Sequence, residues 1–166
     1  MDHTSTLLAI AELAVALAGF ASLISVIGRR TDDRARAIDS FRLRTMLEMA
    51  LRYAAFALVP LPFLQIAPAE PLVWQASSGL YLVSTAVYGT LSIKRARAHE
   101  GMTDRRWAIG PVMGLTSISL LVNIANVLGL GGSNAFSLYL GALLVGLASA
   151  GLLFLSVVAS VFRPER

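Results

Sequence analysis

Long apolar runs, rather than an alternation of apolar and polar positions, dominate this chain. Each run is about as long as the roughly 20 residues that an α-helix needs to cross the hydrocarbon core of a bilayer. The runs cover residues 6–27, 46–66, 72–93, 109–130 and 135–162. This pattern predicts an all-α integral membrane protein with a single transmembrane domain, residues 1–166, in which one lone helix precedes two helical hairpins.

The second run is the least regular of the five. Glu48 and Arg52 lie near its start, and Pro60 and Pro62 lie further along and predict a kink. A four-span alternative omits this run, but it suits Trp74 and Trp107 poorly as interfacial anchors, so we favour five spans.

Composition and charge placement agree with a membrane location. Hydrophobic residues make up 56% of the chain and charged residues 14%, against roughly a quarter charged in soluble domains. Apart from Arg52, every Lys and Arg falls within residues 28–45, 94–108 or 163–166. The positive-inside rule then predicts an outer N-terminus and a cytoplasmic C-terminus. The basic face should attract anionic lipid headgroups, and no nucleic-acid partner is expected.

Two predicted spans carry stripes of polar residues. The third has Gln75, Ser78, Tyr81, Thr85, Tyr88 and Ser92 on one face, and the fourth has Thr116, Ser119, Asn123 and Asn126. Such stripes can hold helices together by hydrogen bonds or can line a wetted pathway. Both interpretations stay open. The candidate pathway residues are Glu12, Gln75, Ser78, Thr85, Thr116, Ser119, Asn123 and Asn126.

Catalytic chemistry finds little support in the sequence. No His or Asp lies within a predicted span, and the motifs of P-loop proteins, zinc proteases and serine hydrolases are absent. The chain has no cysteine, which removes thiolate sites. We therefore expect no enzyme, no metal site and no cofactor.

Glu12 is the one charged residue in the first run. It is expected near the outer edge, with Asn123 and Asn126 at a similar depth. An intramembrane carboxylate is a candidate functional group by default, although Glu12 could instead only fix helix packing. Its helix face continues through Ala16, Gly19, Leu23 and Ile27, which would form a constriction. Arg30, Glu48 and Arg52 are then expected at the cytoplasmic mouth, where Glu48 and Arg52 can pair with each other.

Small residues recur at helix-packing spacing in two spans. Ala14, Ala18, Ser22 and Ser25 form one seam, and Ala142, Gly146 and Ala150 form another. They can serve packing within the chain or contact between copies.

The stretch from Ala11 to Phe20, AEL…LAGF, resembles the first helix of small bacterial integral membrane proteins of uncharacterised function. The resemblance implies a bacterial inner membrane and no particular activity. Together these features predict a small homo-oligomeric channel, cation-conducting, with an acidic outer site at Glu12. A compact proton-coupled secondary transporter and a non-conducting accessory or scaffold subunit are the alternatives.

Overall fold

The computed structural model describes residues 3–27, 33–66, 70–98 and 106–161, and these residues are almost entirely helical. In chain order the helices are α1 (His3–Ile27), α2 (Asp33–Leu58), α3 (Pro60–Ile66), α4 (Glu70–Ala98), α5 (Arg106–Val127) and α6 (Ala135–Val161). A short 3-10 helix, Gly132–Asn134, leads into α6. Since α2 and α3 continue one another, the described chain crosses the bundle in five long segments. The predicted all-α class is confirmed.

Two helices are longer than the apolar runs predict. Helix α2 begins at Asp33, so most of the expected connection 28–45 is helical. Helix α4 likewise continues to Ala98, beyond the predicted limit at residue 93. The predicted limits are the ends of the apolar runs, where charged residues begin. The Arg-rich sequence beyond these limits is no longer apolar, but it still favours helix.

Helix α5 ends at Val127, three residues before the predicted limit at residue 130. The cause is a Schellman motif, in which Leu130 N–H bonds to the carbonyl of Ala125 and Gly129 N–H to that of Asn126, each at 3.0 Å. Gly129 has a φ of +76°, which residues with a Cβ rarely adopt. The turn therefore stops the helix at this point and directs the chain back into α6.

The predicted kink in the second span is confirmed as an interruption at Val59, directly before Pro60. Pro60 has no N–H, so the carbonyl of Phe56 loses its helical donor. The hydroxyl of Tyr139 on α6 donates to that carbonyl at 2.6 Å. A side chain of a neighbouring helix thus completes the broken hydrogen-bond ladder.

The helices pack in a definite order around α6. Helix α1 lies along α2, α2 lies along α6, and α5 packs between α4 and α6. The starts of α1, α4 and α6 meet at what we call the first end of the bundle, where the His3 ring lies 4.0 Å from Phe136 and 5.7 Å from Trp74, centroid to centroid. We call the opposite end, where α2 and α5 begin, the second end.

The small-residue seams are largely used inside the chain. Ala14, Ala18, Ala142 and Ala150 are buried. A Cβ added to Gly146 would lie 2.6 Å from Cζ of Tyr53, so the Tyr53 ring packs directly on the backbone of α6. Of the remaining seam residues, Ser22 is exposed and donates to the carbonyl of Gly19 at 2.7 Å. The side chain of Ser25 lies outside the described set.

The surface is inverted relative to a soluble protein, and the largely apolar interior contains several polar side chains. Many large apolar side chains are exposed, while Ser77, Ser78, Ser119, Asn123 and Asn126 are fully or almost fully buried. Among the described residues, four segments are long and apolar enough to cross a membrane: His3–Ile24, Leu43–Ile66, Gly110–Val127 and Gly132–Ser156. The second predicted span is thus among them, and α4 is not.

Helix α4 shows the inverted pattern within a single helix. Its exposed face carries Leu72, Leu80, Val83, Val87 and Leu91, and its buried face carries Ser77, Ser78, Tyr81 and Thr85. The polar residues lower the mean hydropathy of the helix, yet they face the neighbouring helices. The large side chains on the outward surface of α4 are therefore apolar, as lipid exposure requires.

Candidate functional site: a polar column inside the bundle

Five polar side chains form a column between α4 and α5, beginning at the first end. They are Ser78, Tyr81, Ser119, Asn123 and Asn126, and we call this set the polar column. Asn126 Nδ2 donates to Ser78 Oγ at 2.9 Å, and Asn123 Nδ2 donates to the Ser119 carbonyl at 2.9 Å. The two stripes seen in the sequence thus face each other within one chain.

The deepest link of the column joins three helices. Ser119 Oγ donates to the carbonyl of Ala142 on α6 at 2.8 Å and lies 2.9 Å from the Tyr81 hydroxyl. Because Ser119 has a single hydroxyl proton and gives it to Ala142, Tyr81 is the donor in the second bond. The column therefore contributes to holding α4, α5 and α6 together.

Not every polar atom in this region is satisfied. Asn123 Oδ1, Asn126 Oδ1 and Ser77 Oγ are buried and have no hydrogen-bond partner among the described residues. Each Asn uses its amide nitrogen and leaves its carbonyl oxygen unused. Buried polar atoms in native proteins are normally paired with protein groups or water. The column thus contains acceptors available to a small polar guest.

Arg52 extends the polar region towards the second end. It lies nine residues after Leu43 in the apolar segment Leu43–Ile66, or about 14 Å along the helix, close to the midpoint of a ~30 Å hydrocarbon core. Its guanidinium carbon is 4.6 Å from the ring centroid of Tyr88, 5.4 Å from that of Tyr53 and 5.9 Å from that of Tyr81. We call these three rings the tyrosine cage, and Tyr81 belongs to both the cage and the column.

The expected pair between Glu48 and Arg52 is absent from the structure. Glu48 Oε1 instead accepts from Arg44 Nε at 2.8 Å. Arg44 is 67% exposed, whereas the guanidinium of Arg52 lies among aromatic rings that attract a cation. Nε and Nη1 of Arg52 are buried without a hydrogen-bond partner among the described residues. Arg52 is therefore half-buried, with its guanidinium against the rings of the tyrosine cage, and its place at a cytoplasmic mouth stays a prediction.

The other predicted pathway residues of α4 and α5 flank the column. Thr85 is buried and donates to the Tyr81 carbonyl, and Thr116 is half-buried and donates to the Val112 carbonyl, both at 2.8 Å. Each hydroxyl proton is thus used within its own helix. Gln75 is half-buried beside the turn at Gly129.

The predicted residues of α1 lie elsewhere. Glu12 is exposed, and no hydrogen bond connects it to Asn123 or Asn126, which are buried. It follows His3 by nine residues in the segment His3–Ile24, close to the midpoint, because the helix begins earlier than the apolar run suggested. Ala16, Gly19 and Leu23 are also exposed, the side chain of Ile27 is outside the described set, and Arg30 lies outside the described residues.

The prediction omitted the tyrosine cage. The sequence pattern places Tyr81 and Tyr88 in a polar stripe and gives Tyr53 no role. A usable signal was present, because all four tyrosines of the chain fall within predicted spans. Tyrosine is usually found at membrane interfaces, so a set of tyrosines inside spans indicates a polar interior.

Comparisons with protein-family models, with curated proteins and with solved structures found no match to this chain. The resemblance of the first helix to small bacterial membrane proteins therefore stays a prediction. The geometry of the described residues shows a helical bundle with a polar column and an arginine that lies against three tyrosine rings.

Proposed function

We propose that this protein is a small membrane channel or transporter whose pathway runs through the polar column and the tyrosine cage of a single chain. From Ser78 to Tyr88 these groups extend over ten residues of α4, or about 15 Å, which is half of the hydrocarbon core. The single observation that carries the proposal is the series of buried, unpartnered polar atoms along this length.

The reasoning rests on the cost of such atoms in a membrane. A buried polar group left without a hydrogen bond costs about 1–3 kcal/mol, and lipid offers no partner. Water or a small polar solute in the column would satisfy the amide oxygens of Asn123 and Asn126. Polar contacts that only hold helices together would not require atoms without hydrogen-bond partners. The presence of such atoms therefore favours passage of a polar species.

The proposed orientation has five spans, with the first end outside and the second end in the cytoplasm of a bacterial cell. Helix α4 is the fifth span in this proposal, because its exposed face is apolar and its polar face is buried. Placing the second end inside puts the basic segments next to anionic headgroups, in keeping with the positive-inside rule.

Flux through purified protein in liposomes tests the pathway. Liposomes loaded with KCl would be monitored for K⁺ and Cl⁻ efflux by ion-selective electrodes. Asn123→Leu replaces a column amide with an apolar group of similar size and should reduce efflux at least tenfold. Ser117→Leu, on the exposed face of the same helix, is the matched control and should leave efflux unchanged. Equal efflux through both variants would refute an internal pathway.

The mode of transport is a separate question within the same assay. A channel passes ions at a rate that rises with the gradient, whereas a transporter saturates at a low turnover. If the wild-type protein passes neither ion nor a small neutral solute such as glycerol, the non-conducting accessory subunit becomes the better proposal.

A second candidate is the oligomeric cation pore with an acidic ring at Glu12. One observation favours it: Glu12, Ala16, Gly19 and Leu23 are all exposed on α1 and are free to face the axis of a homo-oligomer. Acidic rings are a common means of selecting cations. Glu12→Gln keeps the shape of the side chain and removes its charge, so it should abolish cation preference in this pore. It should leave flux through the polar column unaltered.

A further inference from the structure

We infer that Arg52 and the tyrosine cage form a binding site for a small monovalent anion, such as a halide or a short carboxylate. This inference deepens the proposed function, since it names the class of solute that the internal pathway would accept. The site combines three features: an arginine whose backbone lies near the middle of its apolar segment, two buried donors without partners among the described residues, and three nearby aromatic rings.

The first step concerns charge. Only two carboxylates, Glu12 and Glu48, have side chains that the structure describes. Glu12 is exposed on α1, and Glu48 is bonded to Arg44. Neither neutralises Arg52, and a guanidinium keeps its charge in proteins. A cation held near the middle of a span is expensive unless an opposite charge or water accompanies it.

The second step concerns hydrogen bonding. The tyrosine rings attract the cation through their π faces, with the closest centroid, that of Tyr88, at 4.6 Å. This attraction leaves the N–H groups without acceptors, as the open Nε and Nη1 show. The Tyr53 hydroxyl is also buried without a partner among the described residues. An anion would accept hydrogen bonds from such donors and would compensate the charge at the same time.

The third step concerns size. The Tyr53 ring lies so close to α6 that a Cβ at Gly146 would come within 2.6 Å of Cζ. Tight packing on this side of the cage excludes a large organic anion or a lipid headgroup. The ligand is therefore a small free anion.

Thermal unfolding of the detergent-solubilised protein tests the site without any flux measurement. Sodium chloride would replace sodium gluconate, whose anion is bulky, at constant ionic strength. The wild-type melting temperature should rise with the logarithm of the chloride concentration above the dissociation constant, because a ligand that binds only the folded state stabilises it. Arg52→Gln should abolish this rise. Arg44→Gln, which removes an exposed arginine from the same helix, should retain it.

Several outcomes separate the possibilities. A wild-type protein with equal melting temperatures in chloride and gluconate overturns the site, and so does an Arg52→Gln variant that keeps the chloride response. If Arg52→Gln does not fold, Arg52→Lys keeps the charge but changes the donors, and the chloride dissociation constant fitted to its melting curve should rise several-fold. An unchanged dissociation constant overturns the assignment.

The same variants distinguish this site from the transport proposal. If chloride raises the melting temperature through Arg52 but the protein passes no ion, the anion site is supported and transport is refuted. Efflux that is blocked by Asn123→Leu, together with no chloride response, supports the pathway and refutes the anion site.

Discussion

The hydrogen bond between Tyr139 and Phe56 offers a direct test of how the bundle is held together. Pro60 removes the N–H that would bond to the Phe56 carbonyl, and the Tyr139 hydroxyl supplies a donor at 2.6 Å. Tyr139→Phe removes this donor and leaves a carbonyl open in the interior of the bundle. The perturbation deletes one oxygen atom and changes the packing very little.

The expected magnitude follows from the surroundings of the bond. Hydrogen bonds between membrane helices contribute about 0.6 kcal/mol on average and up to about 1.7 kcal/mol. The bond to Phe56 belongs at the upper part of this range, because it is short and its acceptor lacks a donor from its own helix. We therefore expect Tyr139→Phe to lower the free energy of unfolding by about 1.5 kcal/mol.

Tyr53→Phe is the matched control. The Tyr53 hydroxyl is also buried, but it has no hydrogen-bond partner among the described residues. Deleting it in chloride-free buffer should leave the free energy of unfolding unchanged or slightly increased, since an unsatisfied polar atom is removed.

A double-mutant cycle with Pro60→Ala tests the proposed cause. Restoring an N–H at position 60 returns a helical donor to the Phe56 carbonyl, so Tyr139→Phe should then cost less than about 0.5 kcal/mol. The coupling energy should be about 1 kcal/mol. Unfolding would be measured by titrating dodecyl sulfate into mixed micelles and following helicity. Equal costs of Tyr139→Phe in both backgrounds would refute the compensation of Pro60 by Tyr139.

Three further predictions follow from the packing and the charge distribution. Gly146→Ala should destabilise the protein by about 1–3 kcal/mol, because the added Cβ meets the Tyr53 ring. Gly141 is on the same helix, and a Cβ added there has no neighbouring atom within 4 Å. Gly141→Ala should therefore not destabilise the protein in the same titration. Reporter fusions should place the N-terminus outside and the C-terminus inside, and a result with both termini on one side would contradict five spans. Native mass spectrometry in mild detergent should show oligomers, and Glu12→Gln should alter their abundance, whereas monomer alone would exclude association through α1.

The helices were predictable because apolar runs and proline act locally. Runs of about 20 apolar residues define the segments whatever their neighbours are, and Pro60 interrupts a helix wherever it occurs. The pairing of the two polar stripes was also predictable, because the period of 3.6 places each stripe on one face and lipid excludes such faces. These features depend on the sequence of one element and on the bilayer.

The orientation of α1 could not be predicted in the same way. The helix is apolar on nearly all sides, so hydropathy does not indicate which face packs against the protein. In the structure its buried face carries Ala11, Ala14, Ala18 and Ala21, which permit a close approach. Glu12 is consequently exposed. The position of the Arg52 side chain could not be predicted either, since it depends on rings supplied by α4.

Glu12 and Arg52 are opposite charges at comparable positions, each nine residues into its apolar segment and close to the midpoint. The fold separates them, with Arg52 inside the bundle and Glu12 on its surface, so they cannot compensate each other within one chain. The arginine is accommodated by aromatic rings and, in our proposal, by an anion. The carboxylate faces outward from the bundle, and a second copy of the chain would cover it and so avoid the cost of lipid exposure. Substitution of Glu12 therefore tests association between copies, and substitution of Arg52 tests the pathway within one chain. If the internal pathway is correct, Glu12→Gln changes association and leaves flux intact, while Arg52→Gln changes flux and leaves association intact.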